Sequence, residues 1–333
     1  MIKRTIAIAA AVPVIMISGC LAVSSIYNAC ASARWFSKPR GPGALYSVGD
    51  HRLYATVRGE GPVTIVIEND VGEPSMTWWV LQERLSSMAR VVTYDRAGYG
   101  WSEKGPGPRS SGRIVEDLST LLERTGSRGP YLFIGHGLGG LYARHFAQKY
   151  PGSVRAVLLI NPLTTDEEYI KKESPPMVYQ NLIIRRSFVM FSYGLSCTGL
   201  TRTLRVDHLP GIPLDLVQLV RDYYSLTTTN ETMIDEYIKG FRESVEQIRA
   251  GGPFPPVPLV VLGYNADELS RTLYQFELSY DEVEKLINAK RTALKRTAAI
   301  SPRGVYIETS PRIDNLHLKD PAYIEKIVKS LLR

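Results

Sequence analysis

Short runs of β-branched and aromatic residues recur along most of the chain, and segments with helical spacing of apolar residues separate them. A strand, a helix and a further strand in succession favour parallel pairing, because the crossover helix returns the chain to the same end of the sheet. The pattern therefore predicts a mostly parallel, doubly wound α/β sheet, preceded by an antiparallel hairpin that turns at Gly49 and Asp50. The predicted strands cover residues 53–57, 63–68, 91–94, 131–134, 154–160, 257–262 and 305–308.

The strand pattern stops between Ile160 and Val257, where helix-compatible runs take its place. We interpret residues 163–252 as a helical cap inserted over the sheet, with Gly- and Pro-rich residues 251–256 as the return hinge. The predicted helices of the sheet layers cover residues 76–88, 114–124, 138–150 and 323–332, and those of the cap cover residues 214–224 and 232–249.

Residues 1–33 are set apart from the rest of the chain. Lys3 and Arg4 precede a stretch without charged residues, and its apolar run Ile6–Val23 is long enough for one membrane-spanning helix of roughly 20 residues. The two basic residues favour an N-terminus on the cytoplasmic side, so that the body is exoplasmic, periplasmic or extracellular. The sequence therefore predicts that the chain associates with a membrane through this segment.

Three interpretations of this segment stay open. It is a retained anchor, a lipoprotein signal in which Cys20 accepts the lipid, or a secretory signal peptide that is cut after Ala33. Residues 34–43 contain two prolines and two glycines and are predicted to be a linker to the body, residues 44–333.

Composition excludes several classes of protein. With 44% hydrophobic and 22% charged residues, the chain is neither wholly disordered nor a multi-pass membrane protein. The formal net charge of +7 is dispersed along the sequence, which argues against a nucleic-acid partner. Cys20, Cys30 and Cys197 form no C-x-x-C pair, and no other metal-ligand spacing occurs, so we expect no metal and no cofactor.

Two glycine-rich turns follow predicted strands. The first, residues 94–102, reads Tyr-Asp-Arg-Ala-Gly-Tyr-Gly-Trp-Ser; the second, residues 135–140, reads Gly-His-Gly-Leu-Gly-Gly and leads into a helix. A strand, a Gly-x-x-x-Gly turn and a helix form the setting of a nucleophile elbow, here centred on Gly137. With both motifs in this order, residues 45–333 resemble the α/β-hydrolase superfamily, in the branch of esterases, lipases, and epoxide and haloalkane hydrolases.

The resemblance implies a catalytic triad, which this chain does not reproduce. The position of the nucleophile is Gly137, which offers no attacking atom. The position of the general base, seven residues before Pro321, is Asp314; His317 lies close by, and is either a displaced base or an ordinary loop residue. The position of the acid is matched best by Asp267, which is either that acid or a helix N-cap.

The resemblance also implies an oxyanion hole made of two backbone N–H groups, one from Leu138 and one near Val71. Asp70 beside this hole places a carboxylate where negative charge would develop, a repulsion of about 1–4 kcal/mol at a separation of 4 Å. We predict an acidic and roomy ligand pocket lined by Asp70, Val71, Gly137, Leu138 and Asp314. His136 is predicted to be structural, because strand alternation turns it away from the cleft.

Three functions are compatible with these residues. The favoured one is a pseudoenzyme that has lost its nucleophile and its catalytic His and binds a small ligand or a protein partner. The alternative is a hydrolase that acts on ester-like substrates by direct attack of water, with His317 or Asp314 as the general base. The third is a membrane-anchored scaffold whose cap binds another protein.

Overall fold

The computed structural model describes residues 2–174, 187, 189–203, 211–263, 270, 279–309 and 315–333. Its strands are β1 (Ala44–Ser47), β2 (Arg52–Arg58), β3 (Thr64–Glu68), β4 (Arg90–Tyr94), β5 (Tyr131–His136), β6 (Val154–Ile160), β7 (Leu259–Gly263) and β8 (Gly304–Glu308). They form one sheet of eight strands in the order β1-β2-β4-β3-β5-β6-β7-β8. β2 is antiparallel to β1 and to β4, and the other pairs are parallel. The predicted mostly parallel sheet and its leading hairpin are confirmed.

The centre of the sheet sets the position of the site. Every residue of β3 is buried, as expected for a strand that helices cover on both faces. β3 pairs in parallel with β5, and the register places Glu68 opposite Gly135. The loop that follows β3 and the glycine-rich turn that follows β5 therefore leave the sheet side by side at its carboxyl end.

The helices of the sheet layers agree with the predictions, with one addition. A 3-10 turn (Ser75–Trp78) precedes the helix Trp79–Leu85, so that the predicted helix 76–88 is split. The helix Tyr280–Ala298 was not predicted, although Ser279 and Glu282 form a capping box at its start. The helices are α1 (Ile2–Ser37), α2 (Trp79–Leu85), α3 (Ser111–Arg124), α4 (Gly139–Lys149), α5 (Glu167–Glu173), α6 (Leu200–Thr203), α7 (Leu214–Tyr224), α8 (Thr227–Met233), α9 (Gly240–Ala250), α10 (Tyr280–Ala298), α11 (Leu316–Lys319) and α12 (Pro321–Leu332).

The cap lies between β6 and β7 and comprises α5 to α9, with a π-helical turn at Ile234–Lys239 and a helical segment at residues 189–198. Tyr223 and Leu226 pack with Met76 and Tyr99 of the body in one apolar cluster. A second cluster joins α9 to α3 and α4. These contacts fix the cap over the carboxyl end of the sheet.

Helix α1 extends beyond the predicted apolar segment. It runs through residues 34–37, which the sequence assigned to the linker, and it ends two residues before Pro39, the first proline after Pro13. Residues Ala11–Ser37 are long and apolar enough, with a mean hydropathy of 1.7, to cross a membrane. The last turns dock on the body instead: Trp35 is buried, stacks on Trp101 and donates from Nε1 to the Gly100 carbonyl at 2.7 Å.

Candidate functional site

The turn between β5 and α4 is built around Gly137, whose φ of +52° lies in the left-handed region that favours glycine. Its N–H donates to the Ile160 carbonyl at 3.1 Å, and its carbonyl accepts from the Leu163 N–H at 2.9 Å. Gly139 is also required, because a Cβ there would overlap the Glu68 carbonyl oxygen. The turn thus has the strand–turn–helix form of a nucleophile elbow, with no side chain at its centre.

The carboxylate of Asp70 fills the space beside Gly137. A Cβ added at Gly137 would overlap Cγ and Oδ1 of Asp70. The N–H groups of Leu138 and Val71 each donate to that same Oδ1 at 2.7 Å. The two donors that the sequence assigned to an oxyanion hole therefore converge on a carboxylate of the protein itself.

This arrangement corrects the expectation of a roomy pocket floor. Gly137 leaves space, but Asp70 takes it, because the loop after β3 lies beside the elbow. A side chain at position 137 and the observed Asp70 carboxylate exclude each other. The nucleophile position and the oxyanion hole are thus closed by one residue.

Asp70 is half-buried, and its surroundings act on its charge in opposite directions. Burial raises the pKa of the Asp70 carboxyl above its ordinary value, and nearby His136 and the Leu138 N–H lower it in part. Ionisation of Asp70 is therefore less favourable than that of an exposed aspartate.

Glu73 organises the loop that carries Asp70. Its Oε2 accepts the Asp70 N–H at 2.9 Å and lies 2.8 Å from Nδ1 of His136, while its Oε1 accepts the Thr77 hydroxyl at 3.2 Å. Burial opposes ionisation of this carboxyl, but His136 and the hydrogen bond with His317 outweigh it and hold the pKa of Glu73 well below its ordinary value. An ionised Glu73 therefore bridges the loop to the strand end and to α11.

His317 lies beneath this loop. Its ring stacks on Trp78 with centroids 3.9 Å apart, its Nε2 lies 3.0 Å from Glu73 Oε1, and 1% of the residue is exposed. Burial lowers the pKa of the His317 imidazole, so the ring is neutral near pH 7. With so little exposure, it has no access to cleft water, and this placement does not support the predicted role of a displaced base.

The donor atoms of Glu73, His136 and His317 lie within 4.8 Å of one another, close enough to share a metal ion. Two imidazoles and a carboxylate suit Zn²⁺ by ligand type. The existing contacts of Glu73 with His136, Thr77 and the Asp70 N–H give this carboxylate a structural role without a metal.

Arg96 joins the site to the cap. Its Nε and Nη2 donate to the two carboxylate oxygens of Glu236 at 2.8 and 2.9 Å. Its Nη1 and Nη2 also donate to the carbonyls of Asn69 and Asp70 at 2.7 and 3.1 Å. The Tyr99 hydroxyl donates to Glu236 at 2.7 Å. Tyr99, Arg96 and Glu236 are all buried. Neither Glu236 nor Glu73 was predicted from the sequence as a residue of this site.

The cap closes on the same loop from above. Tyr223 donates from its hydroxyl to the Gly72 carbonyl at 3.1 Å, and Met233 packs so tightly on Gly72 that a Cβ there would collide with its sulfur. Asp70, Val71, Gly137 and Leu138 are thus brought together beneath the cap. Asp314 and Asp267 lie outside the described residues, and Cys20 lies on the exposed part of α1.

The model of the α/β-hydrolase fold family matches residues 71–257, more than half of the chain. The chain therefore belongs to the α/β-hydrolase-fold family. A solved epoxide hydrolase, CorEH, superposes with a TM-score of 0.65 at 16% identity, covering 87% of this chain and 99% of the other.

Two curated relatives match shorter segments. A probable transporter of Hormonema carpetanum is 36% identical over 106 residues, covering 30% of this chain and 15% of the relative. An uncharacterised vacuolar membrane protein of Saccharomyces cerevisiae is 32% identical over 111 residues, covering 32% of this chain and 17% of the relative. The chain thus spans less than a fifth of the length of these two relatives.

Proposed function

We propose that this chain is a membrane-anchored member of the hydrolase-fold family that binds a small ligand or a protein partner in its cleft and does not hydrolyse esters. The observation that carries the proposal is the position of the Asp70 carboxylate, which accepts both candidate oxyanion-hole N–H groups above a glycine. Acyl transfer needs an attacking heteroatom and an empty, electropositive hole. Among the described residues of this site, Gly137 offers no attacking atom at the centre of the elbow, and the Asp70 carboxylate occupies the hole.

Direct attack of water, the alternative mechanism, meets the same obstacle. A tetrahedral oxyanion would have to share the hole with Asp70, at a repulsion of about 1–4 kcal/mol for a 4 Å separation. His317, one of the two candidate bases, is enclosed by Trp78 and Glu73. The geometry therefore favours binding over catalysis.

The same carboxylate suggests the class of ligand. Asp70 is half-buried at the floor of the cleft, and its charge attracts ammonium groups and accepts hydrogen bonds from hydroxyls, whereas it repels carboxylates. We infer a preference for cationic or hydroxylated ligands over acids.

The membrane anchor is the other part of this proposal. Helix α1 is long and apolar enough to span a bilayer, and a relative is named a vacuolar membrane protein. Asn28, which precedes Ala33, donates from Nδ2 to the Ser196 carbonyl of the cap at 2.9 Å, and this contact supports a retained anchor rather than a signal removed after Ala33. Lys3 and Arg4 favour a body on the exoplasmic side.

The test uses the full-length chain in detergent micelles. Matched pairs of amines and carboxylic acids of the same carbon skeleton are titrated by calorimetry into the native chain and into Asp70→Asn. We expect the native chain to bind amines more tightly than acids and Asp70→Asn to lose that preference. Acids binding better than amines, or turnover of nitrophenyl esters by the native chain that Asp70→Asn abolishes, would overturn the proposal. Loss of such turnover in a chelator would instead indicate metal-dependent hydrolysis.

A further inference from the structure

The cap carries a surface helix that has no charged residue. The helix covers residues 189–198, and the sequence contains no charged residue anywhere in residues 187–201. Met190 and Phe191 on this helix are 51% and 62% exposed. The exposed side of a surface helix in a globular protein is normally charged or polar. Residues 189–198, the cap segment, thus have the exposed apolar side chains that are typical of an interaction surface.

The inner side of the cap segment is polar and contacts α1. Asn28 is buried and donates from Nδ2 to the Ser196 carbonyl at 2.9 Å. Ser196 is also buried, and its hydroxyl donates to the Tyr193 carbonyl at 2.7 Å. A Cβ added at Gly199 would lie 2.5 Å from the Ser24 carbonyl oxygen, so the chain approaches α1 closely there. Polar bonds and small residues inside, with apolar side chains outside, are typical of helices that pack in a membrane.

The length of α1 sets the level of this contact relative to a bilayer. Helix α1 has 36 residues and is therefore about 54 Å long, whereas the hydrocarbon core of a bilayer is about 30 Å thick. A span that begins after Lys3 and Arg4 uses about 20 residues and ends near Ser24. Since Ser24 is the residue that Gly199 approaches, the cap segment joins α1 where the span would leave the bilayer.

The free side of α1 is apolar at the same level. Val23, Ile26 and Tyr27 are exposed, and the sequence contains no charged residue between Arg4 and Arg34. Tyrosine is enriched where membrane-spanning helices cross the headgroup layer. The apolar surface of α1 therefore continues to the level at which the cap segment packs against it.

We infer that the cap segment lies in the interface of the membrane that α1 spans, with Met190 and Phe191 inserted among the lipids. Helices of this kind bury an apolar face about 5–10 Å into the boundary between headgroups and acyl chains. The bilayer is the expected cover of this face, because the cap segment is held against α1 at the end of the span. The inference rests on the membrane anchor proposed above and does not depend on Asp70.

The experiment measures the depth of spin labels by electron paramagnetic resonance. The full-length chain is held in lipid discs of phosphatidylcholine and phosphatidylglycerol. The native cysteines are exposed and are first replaced by alanine, at Cys20, Cys30 and Cys197. Each label is then compared in its accessibility to oxygen, which dissolves in hydrocarbon, and to a nickel chelate, which stays in water.

The labels are attached to single introduced cysteines. Met190→Cys probes the cap segment, with Phe191→Cys as a second probe, and Val14→Cys probes the middle of α1. Val305→Cys is the matched control, because Val305 is 53% exposed and lies on β8, at the opposite edge of the sheet from β1. Circular dichroism checks that each labelled variant is folded.

We expect the ratio of oxygen to nickel accessibility to be at least about threefold higher at position 190 than at position 305, and to approach that at position 14. A label at position 190 that is as accessible to nickel as the control lies in water. A label that is shielded from both reagents lies against another protein or a second copy of this chain. Either result would overturn the inference.

The label at position 14 separates this inference from the membrane anchor. If that label lies in hydrocarbon while those at positions 190 and 191 lie in water, the anchor stands and the inference fails alone. If the label at position 14 also lies in water, the anchor fails and the inference fails with it.

Discussion

At Gly137, both the backbone conformation and the neighbouring Asp70 disfavour any residue that has a side chain. Any L-residue there adopts a left-handed conformation at about 1–2 kcal/mol and overlaps Asp70, at about a further 1–3 kcal/mol for overpacking. We therefore expect Gly137→Ser to lower the thermal unfolding temperature of the full-length chain. Added to Gly137→Ser, Asp70→Ala should remove the destabilisation caused by overpacking but leave the destabilisation caused by the left-handed backbone. A double-mutant cycle in which the two changes are additive would refute mutual exclusion of the two side chains.

His317 predicts a pH dependence of stability. Its folded pKa is depressed by burial, so below the unfolded value of about 6.5 the unfolded chain binds a proton that the folded chain does not. This contribution to stability is present above pH 6.5 and is lost as the pH falls. We expect the unfolding temperature to fall less between pH 7.5 and 5.5 in His317→Gln than in the native chain. Identical pH profiles in thermal melts would contradict the neutral, buried ring.

At the scale of single residues, part of the candidate site could be predicted from the sequence. The motif located Leu138 and Val71 as the two backbone donors, because their positions depend only on the strand ends that carry them. The sequence also placed the Asp70 carboxylate beside the hole, but not inside it as the acceptor of both N–H groups, since that depends on how closely two loops approach whose residues Asp70 and Gly137 lie 67 positions apart. Glu73 lies three residues after Asp70, and this spacing within one loop was the available signal.

Among the elements, the cap and the body are joined most firmly at Glu236 and Arg96. Removing one partner of a buried ion pair costs about 3–5 kcal/mol when the other charge is left uncompensated; Arg96 would keep Glu68, 3.5 Å away, as a second partner, so we expect the lower end of this range. Glu236→Gln should therefore increase hydrogen exchange in α8 and α9. The control Glu246→Gln breaks an exposed pair with Arg242 and should change the unfolding free energy by about 0.5 kcal/mol or less. Equal hydrogen exchange in both variants would mean that the ion pair of Glu236 with Arg96 does not hold the cap to the body.

The end of α1 offers a second test at the same scale. Trp35 is 2% exposed and stacked on Trp101 of the body, whereas the neighbouring Phe36 is 41% exposed. Trp35→Ala should destabilise the chain by about 3–5 kcal/mol, and Phe36→Ala by much less. Thermal melts of the two variants in the same detergent make the comparison, and equal effects would mean that α1 is not docked.

Strands were the elements that the sequence located best. Buried parallel strands are continuous β-branched runs between turn residues, so their ends could be placed within two residues. Helix α10 was missed although its capping box is present, and α1 was cut short at Ala33, because charge and apolarity mark a membrane segment but do not mark where a helix ends.

At the scale of the whole molecule, the cleft beneath the cap and helix α1 are separate features. The cleft holds the Asp70 carboxylate beside Gly137, at the centre of the elbow. Helix α1 is long and apolar enough to span a membrane, and its last turns contact the body. Under the proposed function, the cleft binds a cationic or hydroxylated ligand, and α1 holds the chain at the membrane.

The central claim is that Asp70 excludes a nucleophile from an inherited hydrolase scaffold. The test measures hydrolysis of short and medium acyl nitrophenyl esters by three proteins. These are the native chain, the double variant Gly137→Ser, Asp314→His, and the triple variant that also carries Asp70→Ala. We predict that the first two stay at background and that the triple variant gains turnover of at least tenfold over background. Turnover by the native chain, or equal turnover with and without Asp70→Ala, would contradict the account.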